Sequence, residues 1–197
     1  MAEFSPATQK PLVSTPLVNE YFTGVVPGSA NLLGNFFQAI TFLPLFIPVA
    51  MSLDQIGIRC ETANASGSMR LGIYNSDANN RPSTLVVDAG TVATTSTGAL
   101  QATINVSLAP GWYWACAVEQ GSNLVRIRQS NSFLSIPVVS GATQNDLNAP
   151  ATAFIHATAT GGTTRASVTG ALPSTAVVGF TINGAHNVPL IQFRRSA

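Results

Sequence analysis

Apolar and polar residues alternate with period two over much of the chain. In Leu100 to Leu108, residues Leu100, Ala102, Ile104, Val106 and Leu108 alternate with Gln101, Thr103, Asn105 and Ser107. This predicts a half-buried strand whose outer face is polar and uncharged. Ile56, Ile58 and Cys60 share one face of a second strand, and Met69, Leu71 and Ile73 share one face of a third. Trp112 to Val118 (WYWACAV) is apolar on both faces, so it is either a central strand or one covered by another subunit. Further strands are expected at 36–43, 45–50, 85–92, 124–129, 133–139, 152–159, 175–182 and 188–194. The segments between them are rich in Gly, Pro, Asn, Asp and Ser, which make turns. Only Ala30 to Gln38 admits a short helix.

Many short strands at regular spacing predict an all-β fold, an antiparallel β-sandwich of jelly-roll-like arrangement. Residues 1–20 carry Pro6, Pro11 and Pro16 with no sustained period, which reads as an extended N-terminal arm. Residues 21–197 then form a single sandwich domain, a length that suits one large domain. The arm holds Phe4, Leu12, Val13, Leu17 and Val18, more apolar residues than a solvated tail keeps, so it is expected to pack on its own domain or another chain. The mild Thr/Ala/Gly bias of 142–176 suggests flat strands with small side chains.

Charge narrows the function classes. Charged residues are 9% of the 197, against about 25% in an average domain, while 46% are hydrophobic. Disordered chains have the opposite balance. Nucleic-acid binding needs clustered cations, and here Lys10 is the only lysine and Arg126/Arg128 and Arg194/Arg195 the only close pairs. The most apolar run, Ala39 to Met51, is too short to span a bilayer and is interrupted by Pro44 and Pro48, so no membrane insertion is expected. No basic and apolar leader pattern opens the chain, so no secretory signal is expected. A net charge of +1 favours association, so the surface must be coated in neutral polar groups or buried against other subunits.

Candidate chemistry is sparse. Glu3, Glu20, Asp54, Glu61, Asp77, Asp88, Glu119 and Asp146 occur singly, without the paired spacing of acid–base catalysis, so no enzyme and no catalytic residue is expected. Phosphate-loop, dinucleotide and nucleophile-elbow motifs are absent, and no cofactor is expected. Cys60 and Cys116 read as buried thiols, with a disulfide between neighbouring strands as the alternative, and no metal-ligand spacing surrounds either. His156 in a strand and His186 in a turn read as hydrogen-bonded residues rather than ligands. Trp112, Tyr113 and Trp114 read as core packing or, alternatively, as a stacking platform for carbohydrate. The polar loop from Asn75 to Ser83 is either an ordinary turn or a ligand-contact tip, with Asn75, Asp77, Asn79, Asn80 and Arg81 as the contacting residues.

A succession of short motifs completes the picture: Tyr21-Phe22-Thr23-Gly24, Leu45-Phe46-Ile47-Pro48, Leu53 to Ile58, Met69-Arg70-Leu71-Gly72-Ile73-Tyr74, Arg81-Pro82-Ser83, Leu85 to Val92, and Leu108 to Trp114. In order and spacing, Tyr21 to Val118 resembles a β-sandwich domain at the C-terminal end of tail fibre and minor tail proteins of tailed bacteriophages. The resemblance implies a virion structural protein, assembled in the host bacterial cytoplasm. In that setting it would be a short homotrimeric tail fibre or receptor-binding component for host attachment, with a host-surface glycan as target. The arm, through Phe4, Leu12, Val13, Leu17 and Val18, would anchor it to other virion proteins. Alternatives are a capsid decoration (cement) protein that stabilises the head and, less well matched, a polysaccharide depolymerase.

Overall fold

The computed structural model describes residues 15–23, 30–35, 40–121, 125–130, 155–157, 168–176, 180–182 and 188–197. The described elements are all strands: β1 (Tyr21–Thr23), β2 (Ala30–Asn35), β3 (Thr41–Ile47), β4 (Met51–Thr62), β5 (Gly67–Ser76), β6 (Pro82–Ala93), β7 (Gly98–Leu108), β8 (Gly111–Gly121), β9 (Arg126–Ser130), β10 (Ile155–Ala157), β11 (Phe180–Ile182), β12 (Val188–Pro189) and β13 (Gln192–Arg195). They form two antiparallel sheets packed face to face, a β-sandwich. The first sheet runs β1-β13-β4-β9-β12, with β2 beside β9 and β7 beside β4; the second runs β11-β10-β3-β8-β5-β6.

Alternation builds the interior as expected. Met69, Leu71 and Ile73 of β5 and Leu43, Leu45 and Ile47 of β3 meet Ile56, Ile58 and Cys60 of β4 and Ala102, Ile104 and Leu108 of β7. Met51 and Leu53 point inward on the opposite parity to Ile56. The phase slips at a bulge around Asp54, where the pairing of β4 with both β7 and β13 shifts register.

The segment at Ala30 that admitted a helix is a strand instead, because β2 pairs with β9 from Ala30 to Asn35. Tertiary pairing overrides the weak local preference there. The expected break between 36–43 and 45–50 is also absent: β3 runs through Pro44, and the chain bends at 48–49 instead. Pro44 faces Trp114 of β8, and β10 pairs with β3 only at Thr41 and Phe42. Beyond Phe42 that side of β3 is an edge among the described strands, where a missing N–H costs no ladder bond. The expected strand 188–194 is divided in two, β12 on β9 and β13 on β4. Of 152–159 the described part is β10, and 175–182 holds an isolated bridge at Thr175 and then β11. The expected strand 133–139 lies outside the described residues.

The outer face of the second sheet carries a second apolar cluster: Ile40, Phe42, Tyr74, Trp114, Cys116 and Val118, capped by Leu172 and Ala176. WYWACAV is therefore a central strand, between β3 and β5, and part of its outer face is covered by residues 168–176 of the same chain. Gly72 makes room for this strap, since a Cβ there would lie 2.3 Å from Leu172 Cδ1 and 2.8 Å from the Val87 carbonyl oxygen.

Polar bonds fasten the strap along its length. Tyr74 Oη donates to the Pro173 carbonyl (2.7 Å), and Gln120 Nε2 donates to the carbonyls of Val168 (2.9 Å) and Gly170 (2.7 Å). Leu85 N–H donates to Ser174 and Ala176 N–H to Ser83 along the β6 edge. Asp88 is the central clasp. Its carboxylate accepts from Arg70 Nε (2.9 Å) and Nη2 (2.7 Å), from Gly90 N–H (3.0 Å) and from Leu172 N–H (3.0 Å). Burial pushes this carboxyl up, but the Arg70 guanidinium and the two backbone donors outweigh it and hold it below the usual carboxylate range.

Candidate interaction surfaces

The polar loop after β5 is self-supporting. Asp77 Oδ1 accepts from the backbone N–H of Asn79 (2.8 Å) and of Arg81 (2.7 Å), while Asp77 N–H donates to the Arg81 carbonyl. This is the short side-chain turn that aspartate favours. Asn80 takes the left-handed conformation, φ 55°, which asparagine tolerates better than most residues. Asn75 Nδ2 donates to Thr84 Oγ1 (2.9 Å), which ties the loop base to β6. Asp77 and Asn75 therefore shape the loop, and Asn79 and Asn80 are its exposed tip.

The aromatic cluster divides by parity. Trp114 faces outward into the second core and is 5% exposed. Tyr113 packs against the main core and its hydroxyl donates to the Ala109 carbonyl (3.2 Å). Trp112, at the start of β8, is 36% exposed and lies against Phe46 of β3 with ring centroids 4.9 Å apart. Phe46 was not singled out from the sequence, although Phe42, Pro44 and Phe46 fall on one parity. The pairing of β5 with β8 ends at Asn75 and Tyr113, one residue short of Trp112 and of the loop. The loop and Trp112, far apart in sequence, thus share one end of the second sheet.

The outer face of β7, in the first sheet, is a neutral polar surface. Gln101, Thr103, Asn105 and Ser107 of β7 are all exposed. Ser52 Oγ and Ser107 Oγ are hydrogen-bonded at 2.8 Å. Tyr21 Oη donates to Gln55 Oε1 and accepts from Gln101 Nε2 (3.2 Å). On this sheet Asp54 pairs with Arg194 (2.6 Å), whose guanidinium holds the carboxyl below the usual range, and Glu61 pairs with Arg59 (3.0 Å) and Arg128 (2.6 Å). Among the described residues β7 pairs with β4 alone, so its other side is an edge without a charged residue.

The arm enters beside this face. Glu20 N–H donates to the Leu17 carbonyl to close a turn, with Asn19 at φ 68°. Asn19 N–H donates to the Arg195 carbonyl, and Arg195 Nη1 to the Pro16 carbonyl (2.8 Å). Leu17 (67% exposed) and Val18 (51%) project from the turn without apolar cover. Phe4, Leu12 and Val13 lie outside the described residues. Because β13 meets the start of β4, the arm root lies at the same end of the sandwich as the 77–81 loop.

The remaining candidate groups are committed to structure. Cys60 lies in the main core and Cys116 in the second, on opposite sides of the second sheet, and both are free; burial pushes both thiols up. Glu20 accepts from Leu17 N–H and Glu119 from Val125 N–H. His156 pairs through its backbone with Thr41 and Thr181, and His186 lies outside the described residues. Among the described residues no group of three or more His, Cys, Asp or Glu could hold a metal ion, and no helix is long and apolar enough to cross a membrane. The Asp88 clasp was missed from the sequence, although the Asp-x-Gly spacing that lets Asp88 bond Gly90 N–H is visible there. Comparison with protein-family models, curated proteins and solved structures finds no match to this chain.

Proposed function

We propose that the chain is a non-enzymatic structural component of a tailed-bacteriophage particle, a short trimeric tail fibre or receptor-binding component that works inside an assembly. The observation that carries this reading is the uncharged outer face of β7, continuous through Ser52, Gln55 and Tyr21 with neighbouring strands and lying beside the exposed Leu17 and Val18. Neutral polar side chains cost less to desolvate than charged ones, and an edge lacking lysine does not repel another strand. In addition, Asp54, Glu61 and Asp88 are spent on arginines and Asp77 on a turn, which leaves them poorly placed for acid–base chemistry.

The decoration-protein reading has one observation in its favour. The arm root and the 77–81 loop share one end of the sandwich, whereas a fibre that anchors by its arm should aim its host contact away from the anchor. On a capsid lattice, arm and loops would both meet neighbouring subunits. Labelling intact particles with an antibody to the chain decides between them. The fibre reading expects label at the tail and a few tens of copies at most, by closed symmetric assembly. Label on the head in hundreds of copies replaces it with decoration, and absence from purified particles refutes both.

A further inference from the structure

We infer that Arg59, Arg126 and Arg128 form a docking site for an extended acidic segment of a partner protein, one that carries two carboxylates two residues apart. The site lies across β4 and β9, at the end of β4 remote from the arm root. Cys60 of β4 pairs with Ile127 of β9, and both are buried in the main core. Alternation therefore turns their neighbours outward, Arg59 and Glu61 on β4 and Arg126 and Arg128 on β9. Glu61 Oε1 accepts from Arg59 Nε (3.0 Å) and from Arg128 Nε (2.6 Å), which holds these three side chains together. Arg126 is exposed, and its backbone pairs with Thr62 of β4. Sheet pairing thus brings Arg59 to two arginines far from it in sequence.

Charge sets this patch apart. Asp54 and Asp88 each hold one arginine, so those pairs are neutral. Here one carboxylate serves two guanidinium groups and a third stands beside them, which leaves a surplus of two positive charges. Glu119 does not share this face, because it is 1% exposed and accepts from Val125 N–H on the core side of β9. The cations are within reach of a partner: the Arg59 side chain is 55% exposed and that of Arg128 34%. A guanidinium is a planar fork that matches a carboxylate and is weakly hydrated, so it suits an interface. Arg126 and Arg128 stand two residues apart on one strand face, about 7 Å. An extended peptide with acids at alternate positions repeats at that same interval, and its two carboxylates equal the surplus. Nucleic acid fits less well, since a phosphate backbone calls for a longer run of cations and would pass over Glu61. None of these contacts depends on the virion role proposed above.

The test is fluorescence anisotropy of a labelled, end-capped peptide, Thr-Glu-Thr-Glu-Thr, titrated with the full chain. At low salt it is expected to bind with Kd of about 1 mM or below, and to weaken at physiological ionic strength as exposed charge pairs do. The same peptide with Gln in place of Glu should not bind. Arg126→Gln should weaken binding about twofold to fivefold, the range of one exposed ion pair, and Arg59→Gln combined with Arg126→Gln about tenfold or more. Arg126→Lys, which keeps the charge and loses the fork, should fall between the parent and Arg126→Gln. Arg195→Gln removes an equal charge at the other end of β4 and should leave binding unchanged. Near-ultraviolet circular dichroism confirms that each variant is folded; should the double variant not fold, Arg126→Gln and Arg126→Lys carry the test. Absence of binding, equal binding of the Gln peptide, or equal losses in Arg195→Gln and Arg126→Gln overturns the inference. So does inorganic phosphate or a thymidine oligonucleotide binding as tightly as the acidic peptide. None of these results bears on where the chain sits on a particle, so the labelling experiment stands or falls separately.

Discussion

Replacing Leu172 with alanine separates the two cores of this sandwich. Leu172 is 5% exposed and sits over Gly72 and beside Cys116. Removing a buried leucine side chain costs about 2–5 kcal/mol. The second core is small and surface-lying, so the strap can partly collapse into the gap, and a loss of about 2–3 kcal/mol is the expected share. At 1.36 kcal/mol per decade this raises the equilibrium population of strap-open molecules by about 30- to 150-fold. The two cysteines report it. Cys116 lies under the strap and Cys60 inside the main core, and both are fully buried. In native conditions a thiol reagent should therefore modify Cys116 before Cys60, and Leu172→Ala should accelerate Cys116 by that factor. Equal labelling rates for the two thiols in the parent protein would refute a separately opening strap. An unchanged Cys116 rate in the variant would refute the role given to Leu172.

Gly72→Ala should act in the same direction, because its Cβ would collide with Leu172 Cδ1 and with the Val87 carbonyl; overpacking of this kind costs about 1–3 kcal/mol, and urea unfolding measures it. Asp88 gives an acid-sensitive term. Its folded pKa lies below the unfolded value near 3.8, so its contribution is present above that value and is lost as pH falls through the folded pKa. Thermal melts between pH 6 and 2 should show this fall in the parent and a smaller one in Asp88→Asn; equal slopes would remove Asp88 as the clasp. Thr103→Lys puts a cation at the middle of the neutral β7 face. If the chain assembles as proposed and that face is buried between subunits, light scattering should show the assembly dissociating at a protein concentration at least about tenfold higher than for the parent. An unchanged oligomer places the interface elsewhere.

Much of the fold is written in local pattern. β7 and the inward faces of β4 and β5 follow from period-two alternation, because a strand half in and half out of a core leaves that trace. The neutral outer face is equally visible, since each outward position of β7 can be read directly. The failures occur where a partner distant in sequence decides the outcome. Ala30–Asn35 is a strand because β9 supplies its bonds, and Pro44 is tolerated because, beyond Phe42, the side of β3 away from β8 has no partner among the described strands. The WYWACAV alternative, central strand or subunit-covered strand, could not be resolved locally because the cover comes from residue 172, more than fifty positions away.

The candidate sites divide in the same way. The sequence alone determined the chemistry available: few charges, single carboxylates, one aromatic cluster and one polar loop. Tertiary structure decided how each is used. It turned Asp77 into the frame of its own loop and buried Trp114 in the second core while leaving Trp112 exposed. It also set the two cysteines in separate cores on opposite sides of the second sheet and brought Trp112 and Phe46 together. The physical reason is that residue type fixes what a side chain can do, whereas register and sheet order fix what it meets. In a sandwich those are set by long-range pairing, which leaves no mark on any one segment.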